Sequence, residues 1–215
     1  MNTNVHKRVT REESQRLTRD RLLEAARQAV VRGGVMAVSL RGVCEAAGYS
    51  QGAFYSNFAS RDDLLLELME RHVHEEVQAL RALIAASAEA DLDATLRRIA
   101  ERLAELSQRP EWSLLAVELQ LYARRDAKFA ARYDAGKASY HAEFAAALDE
   151  LIERYRLRPA LPSLQIAIGL YALWCGFAVQ GTVADAIPRG EMLLAFFRAV
   201  TGVPSPQPSN IGAVK

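Results

Sequence analysis

Apolar residues recur along this chain in steps of three and four, with no sustained alternation of the strand type, and this predicts helices from end to end. From Thr18 the face Leu22, Ala25, Ala26, Ala29 and Val30 marks a first helix, which Gly33-Gly34 stops. Ser39 is placed to cap a short second helix ending at Gly48, and Ser50 to cap a third running to about Asn57. Ser60, with Asp63 three residues on, opens a long fourth helix whose seam reads Leu66, Met69, Val73, Val77, Leu80 and Ile84. A fifth follows at Leu92, Leu96, Ile99, Leu103 and Leu106, and Pro110 suits the first turn of a sixth carrying Trp112, Leu115, Leu119 and Tyr122. Asp126 starts a seventh of about thirty residues. Pro162 and Pro188 open the last two, the final one running through Val200. No strand and no internal repeat is expected, so the fold class is all-α with about nine helices.

Composition narrows the picture. Half the residues are hydrophobic, enough for a sizeable core and too many for wholesale disorder. Two cysteines, Cys44 and Cys175, make no disulfide scaffold. The segment 159–184 lacks charge, but its strictly apolar or glycine run is Ile166 to Val179, shorter than the ~20 residues a spanning helix needs. It reads as a buried helix of a cytoplasmic protein with no membrane partner. The N-terminus has no stretch of signal-peptide type. The net charge is only +1, yet residues 1–61 hold ten basic and five acidic groups (+5) against 17 and 21 in the rest (−4). A basic head on an acidic body is the electrostatic footprint of a polyanion partner.

The segment from Ser39 to Phe58 gives that footprint a shape: helix, tight turn at Gly48-Tyr49-Ser50, helix. Phe54 and Phe58, four apart, are expected to point into a small core with Val43, Ala46 and Leu22. Gly52, Ala53 and Ser56 then face outward, flanked by Tyr55 and Asn57, and none of these is acidic. Small residues allow close approach to a major groove and polar ones meet base edges. Helix starts at Ser39, Ser50 and Ser60 add hydroxyls and amides suited to phosphate.

This stretch resembles the N-terminal domain of the tetracycline-repressor (TetR) family of bacterial regulators. The resemblance rests on Thr18-Arg19-Asp20-Arg21-Leu22-Leu23-Glu24-Ala25-Ala26 and the turn Ala46-Ala47-Gly48-Tyr49-Ser50. It continues in Gly52-Ala53-Phe54-Tyr55-Ser56-Asn57-Phe58 and Ser60-Arg61-Asp62-Asp63-Leu64-Leu65. It covers about fifty residues, and beyond Arg71 it is architectural only. Tyr49 and Cys44 depart from the aliphatic or small residues usual at their positions; the Cys44 thiol reads as buried and inert. The resemblance implies base contacts from Arg41, Gln51, Ala53, Ser56 and Asn57, and phosphate contacts from Ser39, Ser50, Tyr55 and Arg61. The implied organisation is a flexible basic arm over 1–15, in which Lys7, Arg8 and Arg11 could reach a minor groove, and a three-helix DNA-binding domain over 16–61. A larger helical ligand-binding and dimerisation bundle follows over 62–201, then a disordered tail over 202–215.

For the body, two tasks are expected. Gly169, Ala172, Gly176 and Val179 give a small-residue edge, and Leu193, Phe196, Phe197 and Val200 an apolar face, for a four-helix homodimer interface. The same helices could instead form internal core. An effector pocket is expected among Trp112, Glu118, Tyr122, Phe129, Tyr133, Tyr140, His141, Phe144, Trp174 and Gln180, although an aromatic stripe is more often plain core. Glu118, between Val117 and Leu119, points to a cationic lipophilic ligand. His72 and Glu76 lie four apart, but two potential ligands make a poor metal site, so neither metal nor other cofactor is expected. No HExxH, P-loop, GxGxxG or Ser/His/Asp arrangement suggests an enzyme. The expected function is a homodimeric repressor released from a palindromic double-stranded DNA operator by a small-molecule effector. The alternatives are an activator, a ligand-independent regulator, or a helical scaffold or enzyme that binds no DNA.

Overall fold

The computed structural model describes residues 10–86, 91–109, 111–181 and 187–204. Lys7 and Arg8 of the expected arm, Pro110, and positions 205–215 of the expected tail lie outside them. Among the described residues the chain forms nine helices and no strand. They are α1 (Arg11–Ala37), α2 (Leu40–Ala47), α3 (Gln51–Tyr55), α4 (Arg61–Ala86), α5 (Leu92–Ser107), α6 (Glu111–Ala123), α7 (Ala127–Tyr155), α8 (Ser163–Gln180) and α9 (Arg189–Thr201).

The first helix starts seven residues before the expected Thr18. Thr10 accepts the Glu13 amide at 3.1 Å while Glu13 accepts the Thr10 amide at 2.8 Å, a reciprocal box that absorbs two orphan donors. Residues 11–15, expected in a flexible arm, are therefore helical. Gly33 and Gly34 do break the helical path, but the chain resumes the helix to Ala37. Ser39, Ser50 and Asp126 cap α2, α3 and α7 with their side chains, accepting the amides of Gly42, Ala53 and Phe129 at 3.1, 3.2 and 2.9 Å. Gly48 closes α2 in the left-handed region at φ 74°, the conformation the tight turn requires.

Helices α1 to α3 make the head. Phe54 and Phe58, 0% and 2% exposed, pack as a tilted ring pair at 5.6 Å beside Leu22, Val43 and Cys44. Ala46, expected in this core, is exposed; Ala47, one residue on, packs there instead. Tyr49 also packs against it, and burial pushes the Cys44 thiol up, the behaviour of an inert packed sulfur. The core continues unbroken from the head along α4 into the body through Leu64, Leu68, Val73 and Val77. A second cluster at the far end joins α5, α7, α8 and α9 around Leu96, Leu151, Ile166 and Phe197. The tail expected from residue 202 begins ordered: Gly202 caps α9, Val203 packs on this second cluster, and Arg198 donates to the Pro204 carbonyl.

Candidate nucleic-acid interface and internal cavity

Of the residues expected to meet DNA, Ser39, Arg41, Ser50, Gln51, Tyr55 and Ser56 are exposed around the α2–α3 turn. Gln51 is the first residue of α3, and Tyr55, one turn on, is 58% exposed with its ring edge-on to Phe54. Arg41 reaches into solvent and pairs loosely with Glu45 along α2 at 2.7 Å, an exposed contact easily exchanged for another anion. The Ser56 hydroxyl donates back to the Gly52 carbonyl at 3.0 Å. Ala53 is half-buried.

Two of the expected contact residues turn inward. The Asn57 amide donates to the Ala53 carbonyl at 2.8 Å, and its backbone carbonyl accepts from Arg19. Arg61 donates to the carbonyls of Val35 and Val38, satisfying the acceptors left open where α1 ends. Its guanidinium brackets α1 to the start of α4. The sequence reading missed a second bracket. Arg19 lies 4.3 Å over the Phe58 ring and pairs with Glu67, tying α1 and the end of the head to α4. A lone arginine and a glutamate forty-eight positions apart carry no sequence signal of such a pairing.

The body contains a cavity of about 190 Å³ among α4 to α9. Of the expected pocket residues, Trp112, Phe144 and Trp174 line it. The others are elsewhere. The Tyr122 and Phe129 rings pack in a tilted pair at 4.4 Å, and the Tyr133 hydroxyl donates to the Ala116 carbonyl at 3.3 Å. Tyr140 is buried in the main core, His141 sits edge-on to Tyr171, and Gln180 is exposed at the end of α8. Glu118 faces the other way, accepting the Val35 amide at 2.6 Å beside Gly34. Its charge is occupied at the break in α1, so it says nothing of a cationic ligand.

What lines the cavity is chiefly aliphatic, including Leu80, Leu103, Leu106 and Leu170. At the α4–α5–α6 side His72 lies flat on Trp112, ring centroids 3.9 Å apart. Glu76 accepts from Arg102 at 2.6 and 2.8 Å. Burial, then Arg109 and Arg102, push the His72 imidazole down to about 3, so it is neutral. Among the described residues no group of three or more potential metal ligands occurs.

The neutral His72 has a consequence for acid stability. The unfolded chain binds this proton near pH 6.5 and the native state only near 3, so stability falls as pH drops below 6.5, by about 1.4 kcal/mol per unit. Urea unfolding at pH 7 and pH 5 should show about 2 kcal/mol of acid loss that His72→Phe, which keeps the ring on Trp112, removes. An unchanged pH slope in that variant would contradict the assignment.

The expected dimer residues divide. Leu193 and Phe197 are buried within the chain's own core, a Cβ at Gly169 would meet Phe196 at 3.4 Å, and Val200 packs on the second cluster. Ala172 and Val179 are exposed, together with Leu164, Ile168 and Met192. Helix α8 is long and apolar enough to cross a membrane, yet it packs on α6, α7 and α9 and leaves one apolar side outward.

A helix-turn-helix head carried on a helical body with an internal apolar cavity defines a class of regulatory protein. The sequence profile of bacterial regulatory proteins of the tetR family matches residues 22–68. The HTH-type transcriptional regulator YwcC of Bacillus subtilis, itself uncharacterised, is 33% identical over 89 residues, 39% of this chain and 40% of that protein. The chain therefore matches well under half the length of that relative. Two solved structures share the whole architecture. Escherichia coli NemR in its reduced form is 24% identical at a TM-score of 0.62, covering 85% of this chain and 96% of that one. Bacillus subtilis FadR, determined with stearoyl-CoA, is 14% identical at 0.61, covering 86% and 99%. Residues 22–68 therefore carry a tetR-family N-terminal domain, and the chain as a whole shares the fold of these structures.

Proposed function

We propose that this chain is a cytoplasmic homodimeric repressor that reads a palindromic operator through α3 and is released by a small molecule entering the body cavity. The observation that carries the reading is the unbroken helix α4. Its first residue, Arg61, grips the end of α1, and its later turns line the cavity with Met69, His72, Val73, Glu76, Leu80 and Ile84. Any ligand that moves that wall therefore moves the seat of the head. A coupling of about 1–3 kcal/mol suffices for regulation. FadR carries its acyl ligand on the same architecture, which supports a sensing role for the cavity. The α8 face of Leu164, Ile168, Ala172 and Val179 supports pairing with a second copy, which would set two reading helices about 34–36 Å apart or a multiple of it.

The test begins with DNA fragments selected from the source genome by the purified protein. Gln51→Ala and Tyr55→Ala should each weaken binding to the selected fragment by about 1–3 kcal/mol, read by mobility shift, while circular dichroism stays unchanged. Affinity should also fall steeply with salt. A protein indifferent to both substitutions does not read DNA through this face.

A further inference from the structure

The cavity's chemistry goes further than its existence. Among the described residues its charged lining consists of Glu76, Arg102 and Arg109. The Glu76 carboxylate accepts from two Arg102 nitrogens, so those charges cancel within the wall. His72 adds none, being neutral against Trp112. Arg109, in the connection after α5, lines the rim and has no acidic partner among the described residues. Apart from Ser113, the rest of the lining is apolar or aromatic.

We propose that the cavity binds a lipophilic monoanion, with an apolar body among Leu103, Leu106, Phe144, Leu170 and Trp174 and one carboxylate-type group held at the rim by Arg109. This rests on the reading of the cavity as the effector site and replaces the cationic ligand that Glu118 suggested from sequence. An apolar body gains by leaving water, roughly in proportion to the area buried. A guanidinium offers parallel donors that match a carboxylate. A cationic head would meet the same arginine as a like charge. Burial does most to keep His72 unprotonated, and Arg109, which adds to it, acts on an incoming ligand's charge in the same sense.

The protein carries its own readout, since its two tryptophans, Trp112 and Trp174, both line the cavity. Decanoate, decanol and decyltrimethylammonium share one chain and differ in head charge. Titrated against indole fluorescence at pH 7.5, decanoate should bind about tenfold more tightly than decanol, with the ammonium weakest. Arg109→Gln, an exposed substitution, should bring decanoate to the level of decanol and leave decanol unchanged. The proposal is overturned if the ammonium binds as tightly as decanoate, if Arg109→Gln leaves decanoate unaffected, or if none of the three changes the fluorescence. A decanoate that binds in the expected order yet leaves the selected DNA fragment bound would instead refute release by this cavity, and the ligand class would stand.

Discussion

Phe54→Ala should unfold the head and cost the protein about 3–5 kcal/mol. Phe54 is fully buried, packed at a tilt against Phe58 and seated against the α1 and α2 residues Leu22, Val43 and Cys44. The head has little else to rely on, because α2 and α3 are only eight and five residues long. Helices that short are not stable alone and depend on their packed face. Removing the ring leaves a cavity at the one place where all three helices meet. Urea unfolding should show the loss, and limited proteolysis should cut first between α2 and α4 while the body survives. DNA binding should vanish with no change at any exposed contact residue. A variant that keeps near-native stability would mean that the head is held mainly by its brackets to α4, through Arg19 and Arg61.

Glu118→Ala should uncouple the cavity from the head. Glu118 stands on α6, whose Trp112, Ser113 and Ala116 line the cavity, and its carboxylate accepts the Val35 amide at 2.6 Å beyond the break in α1. Gly34 sits so close that a Cβ there would lie 2.6 Å from the Glu118 carboxylate, with φ at 70°. The contact therefore needs both the glycine and the acid. Losing the acceptor strands an amide at a part-buried site, at a cost of about 1–3 kcal/mol. The larger effect is on regulation. A ligand that lowers operator affinity by a coupling of about 1–3 kcal/mol, or roughly 5–150-fold, should do so much less in the variant. Ligand affinity, read by tryptophan fluorescence, should be nearly unchanged. If the ligand still releases the variant from DNA to the full extent, α4 alone carries the signal.

These two cases also mark where sequence reasoning holds and where it stops. The head is readable because its information is local. Caps, the left-handed Gly48 and the spacing of Phe54 and Phe58 all act within a few residues. The long seam of α4 is readable for the same reason, since a helical period needs only neighbours. Glu118 was misread because its partner is eighty-three positions away, and Val117 and Leu119 beside it reveal nothing of the break in α1. The aromatic run Phe129, Tyr133 and Tyr140 was credited to a pocket although it packs as core. The true lining came from leucines of α5 that look like any amphipathic seam. Leu193 and Phe197 carry a similar ambiguity: an apolar face shows that a helix is covered, without showing by which partner.

Helix α4 has the proportions of a lever arm. Its 26 residues span ~39 Å at 1.5 Å per residue, with the cavity along one end and Arg61 at the other. A tilt of about 5° about the cavity end would carry the Arg61 end through ~3 Å, close to the rise of one base pair. Two such arms related by a two-fold axis would change the gap between reading helices by up to about twice that. A displacement too small to reshape the body would thus put both helices out of step with the groove, so the mechanical gain of one straight helix can stand in for any large domain motion.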